Sequence, residues 1–417
     1  MPTDAIPPGH LLLHVGPQKT GSTGIQQAMH RSRAELADRG VLYPGHTFRP
    51  AEAGWAVMGI GAAVGRPEPR IELWHQLVSE VAETRLARTC VSNEDFARAD
   101  DAAIDRILTG LGRDRLHLVY VARRIDKLLP SHWQERVKAG MTSSYADFLD
   151  QMLREQGADW EWHMMWDAQS VGAVVDRWAH HLDRDRITVI VADETDRATI
   201  PRTFEQLLGL DEGFLVPPDQ RSNRSLGFAE AEAVRRVNRL FAEHEWGPEA
   251  YWRIVQNGIA ARLKDAPPSD GATPIPRLTA AALRRVADLA DQQADAIGAA
   301  GVRVVGDPET LRIGDQVQPD QETGPVDVVS MELLANAIEG AVIGALDLQA
   351  RVLGRQPAVQ RSLADASGRE LLGMLRRRLG RRLGRRLGRR LANRLKSHSR
   401  AWANLRSHFG THRVFLG

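Results

Sequence analysis

Cysteine is almost missing from this chain: Cys90 is the single one in 417 residues. That excludes a disulfide framework, an iron–sulfur cluster and any zinc site built on thiolates. The 14 histidines never stand in a His-Glu-x-x-His spacing, which excludes a zincin helix. No apolar run approaches the roughly 18 residues that a membrane span needs. The first residues, Met-Pro-Thr-Asp-Ala-Ile-Pro-Pro, lack the basic and long apolar stretches of a secretory leader. The expectation is a reduced, cytoplasmic protein.

What is present is ordinary for a globular chain, with 43% apolar and 26% charged residues. At about 150 residues per domain, the length allows two or three domains or one large α/β core. The near balance of 55 basic and 53 acidic residues hides an asymmetry. Fifteen of the basic residues and a single acid, Glu370, fall within 369–417. The tail is therefore strongly basic and the body acidic.

Short continuous apolar runs mark strands buried on both faces of a parallel sheet: Leu11–Val15, Thr89–Val91, Leu116–Val121 and Ile187–Val191. Helical patterns separate them. Ile25, Met29 and Leu36 fall on one face, with Gly40 as a stop, and Ala229, Ala233, Val234, Val237, Leu240 and Phe241 line another. This alternation predicts an α/β fold, a doubly wound, mostly parallel sheet flanked by helices, with a helical C-terminal extension. The expected divisions are an α/β domain over 1–310, a linker over 311–327, an apolar-rich helix over 328–355 and a basic Arg/Leu/Gly tail over 356–417. In the tail, leucines 375, 379, 383, 387 and 391 recur every four residues, while Gly380, Gly384 and Gly388 each cost a helix about 1 kcal/mol. A basic amphipathic helix suits an anionic membrane surface, giving a peripheral position at the inner membrane, or an acidic partner; the other reading is a solvated repeat.

The chemistry-bearing stretch is His14-Val15-Gly16-Pro17-Gln18-Lys19-Thr20-Gly21-Ser22-Thr23, between the first strand and the first helix. A strand, a Gly-containing turn and a helix start present free backbone N–H groups and the positive dipole end to an anion. Gly16 and Gly21 allow close approach, Lys19 adds a point charge, and Ser22 and Thr23 add hydroxyls. A Walker A loop would put Lys straight after the second Gly, where Ser22 stands, and an NTPase would need a Mg²⁺-holding acid that the sequence does not offer. Trp160, Trp162 and Trp166 read as core rather than as a stacking platform.

Pro-x-Lys-Thr-Gly-Ser-Thr after a first strand resembles the 5′-phosphosulfate loop of bacterial sulfotransferases that use 3′-phosphoadenosine 5′-phosphosulfate (PAPS). Arg123 after the third apolar run, with Ser131 eight residues on, resembles that family's 3′-phosphate motif, and Arg221-Ser222-Asn223-Arg224-Ser225 resembles a further Arg/Asn/Ser segment. For the last, a helix N-cap at Asn223 or Ser225 is the alternative. Many members carry Asp where Arg124 stands, so the 3′-phosphate partner is either Arg123 or Arg124. Pro130 points to a late helix start or a kink before Ser131.

The resemblance implies a P-loop-like fold and sulfuryl transfer from PAPS, as co-substrate and without a metal, to a hydroxyl or amine of a small-molecule, carbohydrate or lipid acceptor. It implies Lys19 at the bridging oxygen, with Ser131 able to bond it, and the 5′-phosphate on Gly16, Thr20, Gly21, Ser22 and Thr23. Arg123, Ser131, Arg221, Asn223 and Ser225 would complete the cofactor site. For the general base, Glu94 follows the second apolar run at the same sheet edge, within a stretch resembling the family's Ser-x-Glu, and His46 in a loop ranks second. The competing functions are a P-loop nucleotide kinase or NTPase and a non-catalytic binding protein working through its basic tail.

Overall fold

A computed structural model describes residues 5–61, 69–155, 157, 159–193, 195–217, 224–267, 274–314, 317, 319, 326 and 328–353. The apolar runs form strands β1 (Leu11–Gly16), β3 (Arg88–Ser92), β4 (Leu116–Ala122) and β5 (Ile187–Val191), joined by two short ones, β2 (Val41–Leu42) and β6 (Arg303–Val305). All pair in parallel in the order β2-β3-β1-β4-β5-β6. Leu13 stands opposite Val91 on one side and Leu118 on the other, so β1 is the central strand. Every residue of β1 and β5 is buried, as continuous apolar runs require of strands covered on both faces.

Alternate residues of β1 feed opposite faces. Leu11, Leu13 and Val15 join a core with Val57, Trp74, Phe96, Ile104 and Trp178 from α3 (Ala51–Met58), α4 (Ile71–Glu83), α5 (Asp101–Leu111) and α9 (Val171–Ala179) and the connections between them. Leu12 faces the other way, with Ile25, Leu36 and Phe204 of α1 (Ser22–Arg31), α2 (Arg33–Asp38) and α10 (Thr199–Leu208). The helix expected from Ile25 to Gly40 is thus two helices broken at Ser32, although its three apolar residues are buried as their spacing predicts.

A third core joins α6 (Ile125–Lys138), α7 (Tyr145–Met152), α8 (Trp160–Gln169) and α11 (Phe228–Glu243) with later helices. The buried face of α11 carries Phe228, Ala231, Val234, Asn238 and Phe241, while Leu240 is 46% exposed. Of the expected face, Val234 and Phe241 are buried and Ala229, Ala233 and Val237 half-buried against this core, while Asn238, which apolar periodicity does not register, is buried to donate to the Val137 and Met141 carbonyls at 2.7 and 2.8 Å. Trp160 also departs from expectation. It is 61% exposed, with the Arg136 guanidinium 4.7 Å above its ring, whereas Trp166 is buried and donates to the Met152 carbonyl.

The helix Met331–Val352 crosses the Tyr251–Ala260 helix at a glycine contact: a Cβ on Gly340 would stand 2.5 Å from the Gly258 carbonyl oxygen. The described residues up to Gln349 form one compact unit. No described helix is long and apolar enough to cross a membrane.

Candidate active site

The site begins where β1 ends. Gly16 leaves the strand at φ +98°, and a Cβ there would stand 2.6 Å from Glu94 Cα and 2.7 Å from its carbonyl oxygen. Glycine is required on both counts. Lys19 takes φ +68°, the left-handed region that costs a side-chain-bearing residue about 1–2 kcal/mol. Thr20 Oγ1 and Ser22 Oγ both donate to the Pro17 carbonyl, at 2.8 and 3.1 Å. These two hydroxyls tie the loop to itself, so the Ser22 hydroxyl expected as an outward donor is used internally, and Thr23 is the exposed one. Gly21, N-cap of α1, brings no capping side chain, and the first turn holds no acid. Its N–H groups and dipole end are left unneutralised by their own helix.

The strand order places this loop at a switch point. From β1 the chain moves toward β2, and from β4 toward β5, so the crevice opens between the C-terminal ends of β1 and β4. Arg123, directly after β4, donates from Nη1 to the Lys19 carbonyl at 2.7 Å. Arg124 instead forks onto Asp126 at 2.9 and 3.0 Å at the start of α6. The two adjacent arginines thus serve different elements.

Helix α6 runs through Pro130 from Ile125 to Lys138, so a late start does not precede Ser131. Ser131, Glu135 and Lys138 fall at i, i+4 and i+7 and share a face. Lys19 Nζ bonds Glu135 Oε1 at 2.8 Å, and Lys138 Nζ bonds the same oxygen at 2.5 Å. Ser131 Oγ donates to the Lys127 carbonyl, one turn back, at 3.1 Å. The expected Ser131–Lys19 bond is therefore absent, its place on the lysine taken by Glu135.

No protein-family model matches this chain, and no curated protein does. Among solved structures, the crystal structure of a sulfotransferase from Alicyclobacillus acidocaldarius aligns with 58% of this chain and 97% of its own, at 15% identity and a TM-score of 0.33.

Beyond β3, Asn93 accepts from the Asp95 N–H and opens a 3₁₀ turn, Glu94–Arg98, that sets two carboxylates beside the loop. The Glu94 side chain is 12% exposed, with Arg49 Nη1 3.6 Å away. Burial pushes its carboxyl above the ordinary range, and the charges of Asp95 and Glu135 add to this against Arg49 and Lys19. Asp95 behaves oppositely. Burial opposes its charge, yet Arg49 and Arg98 outweigh that and hold its carboxyl down. It accepts from Gln18 Nε2 (2.9 Å), Arg49 (3.0 Å), Trp55 Nε1 (2.8 Å) and Arg98 (2.9 Å). Gln169 Nε2 secures the Gln18 carbonyl from α8 at 2.9 Å. Glu94 is thus the carboxyl suited to take a proton, and Asp95 the fixed charge that braces the loop.

Arg49, Asp95, Glu135, Lys138 and Gln169 were not singled out from the sequence as site residues. Two carried a local signal: Asp95 adjoins Glu94, and Glu135 lies one helical turn beyond Ser131.

His46 is exposed, and its loop reaches the acidic pair through Arg49. His132 is buried on the ring of Phe148, with neither ring nitrogen bonded, and burial lowers it to about 3, leaving it neutral. Ser225 is exposed and its carbonyl accepts from Arg224. Neither Ser225 nor Asn223 is the N-cap of α11: that is Gly227, whose N–H bonds buried Glu230, itself forked by Arg224. Arg221 and Asn223 lie outside the described residues, as does the tail from 354 onward. Among the described residues, no three His, Cys, Asp or Glu side chains are grouped to hold a metal.

Proposed function

We propose that this chain is a PAPS-dependent sulfotransferase. The observation that carries the reading is the meeting of Lys19 and Arg123 at the β1/β4 crevice, with Glu94 packed against Gly16. The residues present fit an anionic nucleotide: an uncapped helix start without an acid, a loop lysine, and a guanidinium already on the loop's backbone. When bound, PAPS supplies the sulfuryl group. Backbone N–H groups from Thr20 to Thr23 hold its 5′-phosphate, and Arg123 with Ser131 holds the 3′-phosphate. Lys19 brings its ammonium to the leaving oxygen, and Glu94 takes the proton of the acceptor hydroxyl or amine.

Ser225, Arg221 and Asn223 belong to this proposal as further cofactor contacts. The acceptor is a small molecule, carbohydrate or lipid. For 369–417, fifteen basic residues and the spaced leucines support contact with an anionic membrane surface. The test for the site is Lys19→Ala, followed by slow PAPS hydrolysis without an acceptor. Turnover should fall about 10²–10³-fold, the usual loss of one charge-stabilising donor, with a smaller change in cofactor binding. Near-normal turnover would refute the role of Lys19.

A further inference from the structure

The ion triad on α6 holds more than the proposed reaction uses. A single oxygen, Glu135 Oε1, receives two ammonium groups of different origin. Lys138 sits three residues on in the same helix, so its bond survives whatever the loop does. Lys19 comes from the far side of the crevice, on a loop whose backbone Arg123 and Gln169 hold in place. The backbone is anchored while the lysine side chain is 27% exposed, so the side chain alone is free to swing. Burial opposes the charge of Glu135, yet Lys19 and Lys138 hold its carboxyl down to about 2, which makes it a fixed negative charge rather than a proton carrier. Two cations share one anion, so the triad carries one surplus positive charge.

We propose that Glu135 is a positioning residue that parks Lys19 and releases it to an anion entering the loop, keeping its own charge compensated by Lys138. A carboxylate left beside the site without a cation would be costly, and Lys138 removes that cost. Glu135 and the incoming anion thus compete for one ammonium. The inference rests on reading the loop as the donor site.

The test is calorimetric titration with adenosine 3′,5′-bisphosphate and, separately, inorganic pyrophosphate. The proteins are the full chain and its Glu135→Gln, Lys138→Met, Lys19→Met, Glu135→Gln/Lys138→Met and Glu135→Gln/Lys19→Met variants. Glu135→Gln should tighten binding about tenfold, the low end of what a charge-assisted hydrogen bond contributes. Lys138→Met, which leaves Glu135 with Lys19 alone, should weaken binding several-fold. A simple through-space field predicts the same signs, so the double variants decide. Exchange predicts that the gain from Glu135→Gln disappears without Lys19, and that the loss from Lys138→Met disappears once Glu135 is gone. Additive effects in both cycles, or a Glu135→Gln variant that binds no tighter, would overturn the proposal. A wild-type chain that takes pyrophosphate but not the nucleotide would sink the donor-site reading alone, with the exchange judged by the same cycles on pyrophosphate.

Discussion

Replacing Gly16 by alanine tests the joint between the loop and Glu94 directly. The new Cβ would meet Glu94 at 2.6 Å from its Cα and 2.7 Å from its Cβ and carbonyl oxygen, and two of those atoms are backbone. No side-chain rotation relieves the overlap, so the 3₁₀ turn carrying Glu94 and Asp95 must move. Forcing extra volume into a packed interior costs about 1–3 kcal/mol, and the positive φ adds about 1–2 kcal/mol for any residue with a Cβ. Gly45→Ala isolates the second contribution, because Gly45 has φ +83° and a methyl group there would meet nothing within 4 Å. Urea denaturation of the three proteins, compared at equal slope, should place Gly16→Ala about 2–5 kcal/mol below wild type and Gly45→Ala about 1–2 kcal/mol below. If Gly16→Ala were no worse than Gly45→Ala, the contact between loop and Glu94 would not be as described.

Arg123→Ala should chiefly raise the apparent PAPS constant, with much less effect on an analogue lacking the 3′-phosphate, whereas Arg124→Ala should cost stability through Asp126 and leave PAPS affinity near wild type; equal affinity losses would refute the division. Because burial raises the Glu94 carboxyl, turnover at limiting substrate should climb with pH through a value above the ordinary 4.5, and Glu94→Gln should abolish that limb. The same raised value means that the stability Glu94 contributes is present at low pH and lost as pH rises through the folded value, which a pH series of melting curves reads against Glu94→Gln. Deleting 369–417 should leave nucleotide affinity unchanged and abolish co-sedimentation with anionic vesicles; unchanged co-sedimentation would remove the membrane reading.

The sheet was legible because its strands announce themselves: Leu11–Val15 and Ile187–Val191 are continuous apolar runs that only a doubly covered sheet makes use of. β2, two residues long, leaves no pattern to read. The α1–α2 break at Ser32 escaped because Ile25, Met29 and Leu36 keep one apolar spacing across it. The late start that Pro130 suggests for its helix does not occur, because burial of Leu128, Leu129 and Trp133 on either side of it outweighs the local penalty.

At the site, the turn that Gly16, Lys19 and Gly21 make between β1 and α1 could be read from their order along the chain, since its backbone geometry is local. The different partners of Arg123 and Arg124 could not, because they depend on where the Lys19 carbonyl and Asp126 lie in space. The partners of Lys19 and Asp95 come from 116 and 46 residues away, Glu135 and Arg49, and no local spacing encodes such pairings. Ser131 lies on the helix after β4 as expected, and its hydroxyl donates within that helix to the Lys127 carbonyl rather than meeting Lys19.

The most direct test of the account is calorimetric binding of adenosine 3′,5′-bisphosphate against ATP, each with and without Mg²⁺. The 3′,5′-bisphosphate should bind, Mg²⁺ should make no difference to it, and Lys19 and Arg123 variants should weaken it. Tight, Mg²⁺-dependent ATP binding with no preference for the 3′-phosphate would contradict this and make the loop that of a nucleotide kinase or NTPase.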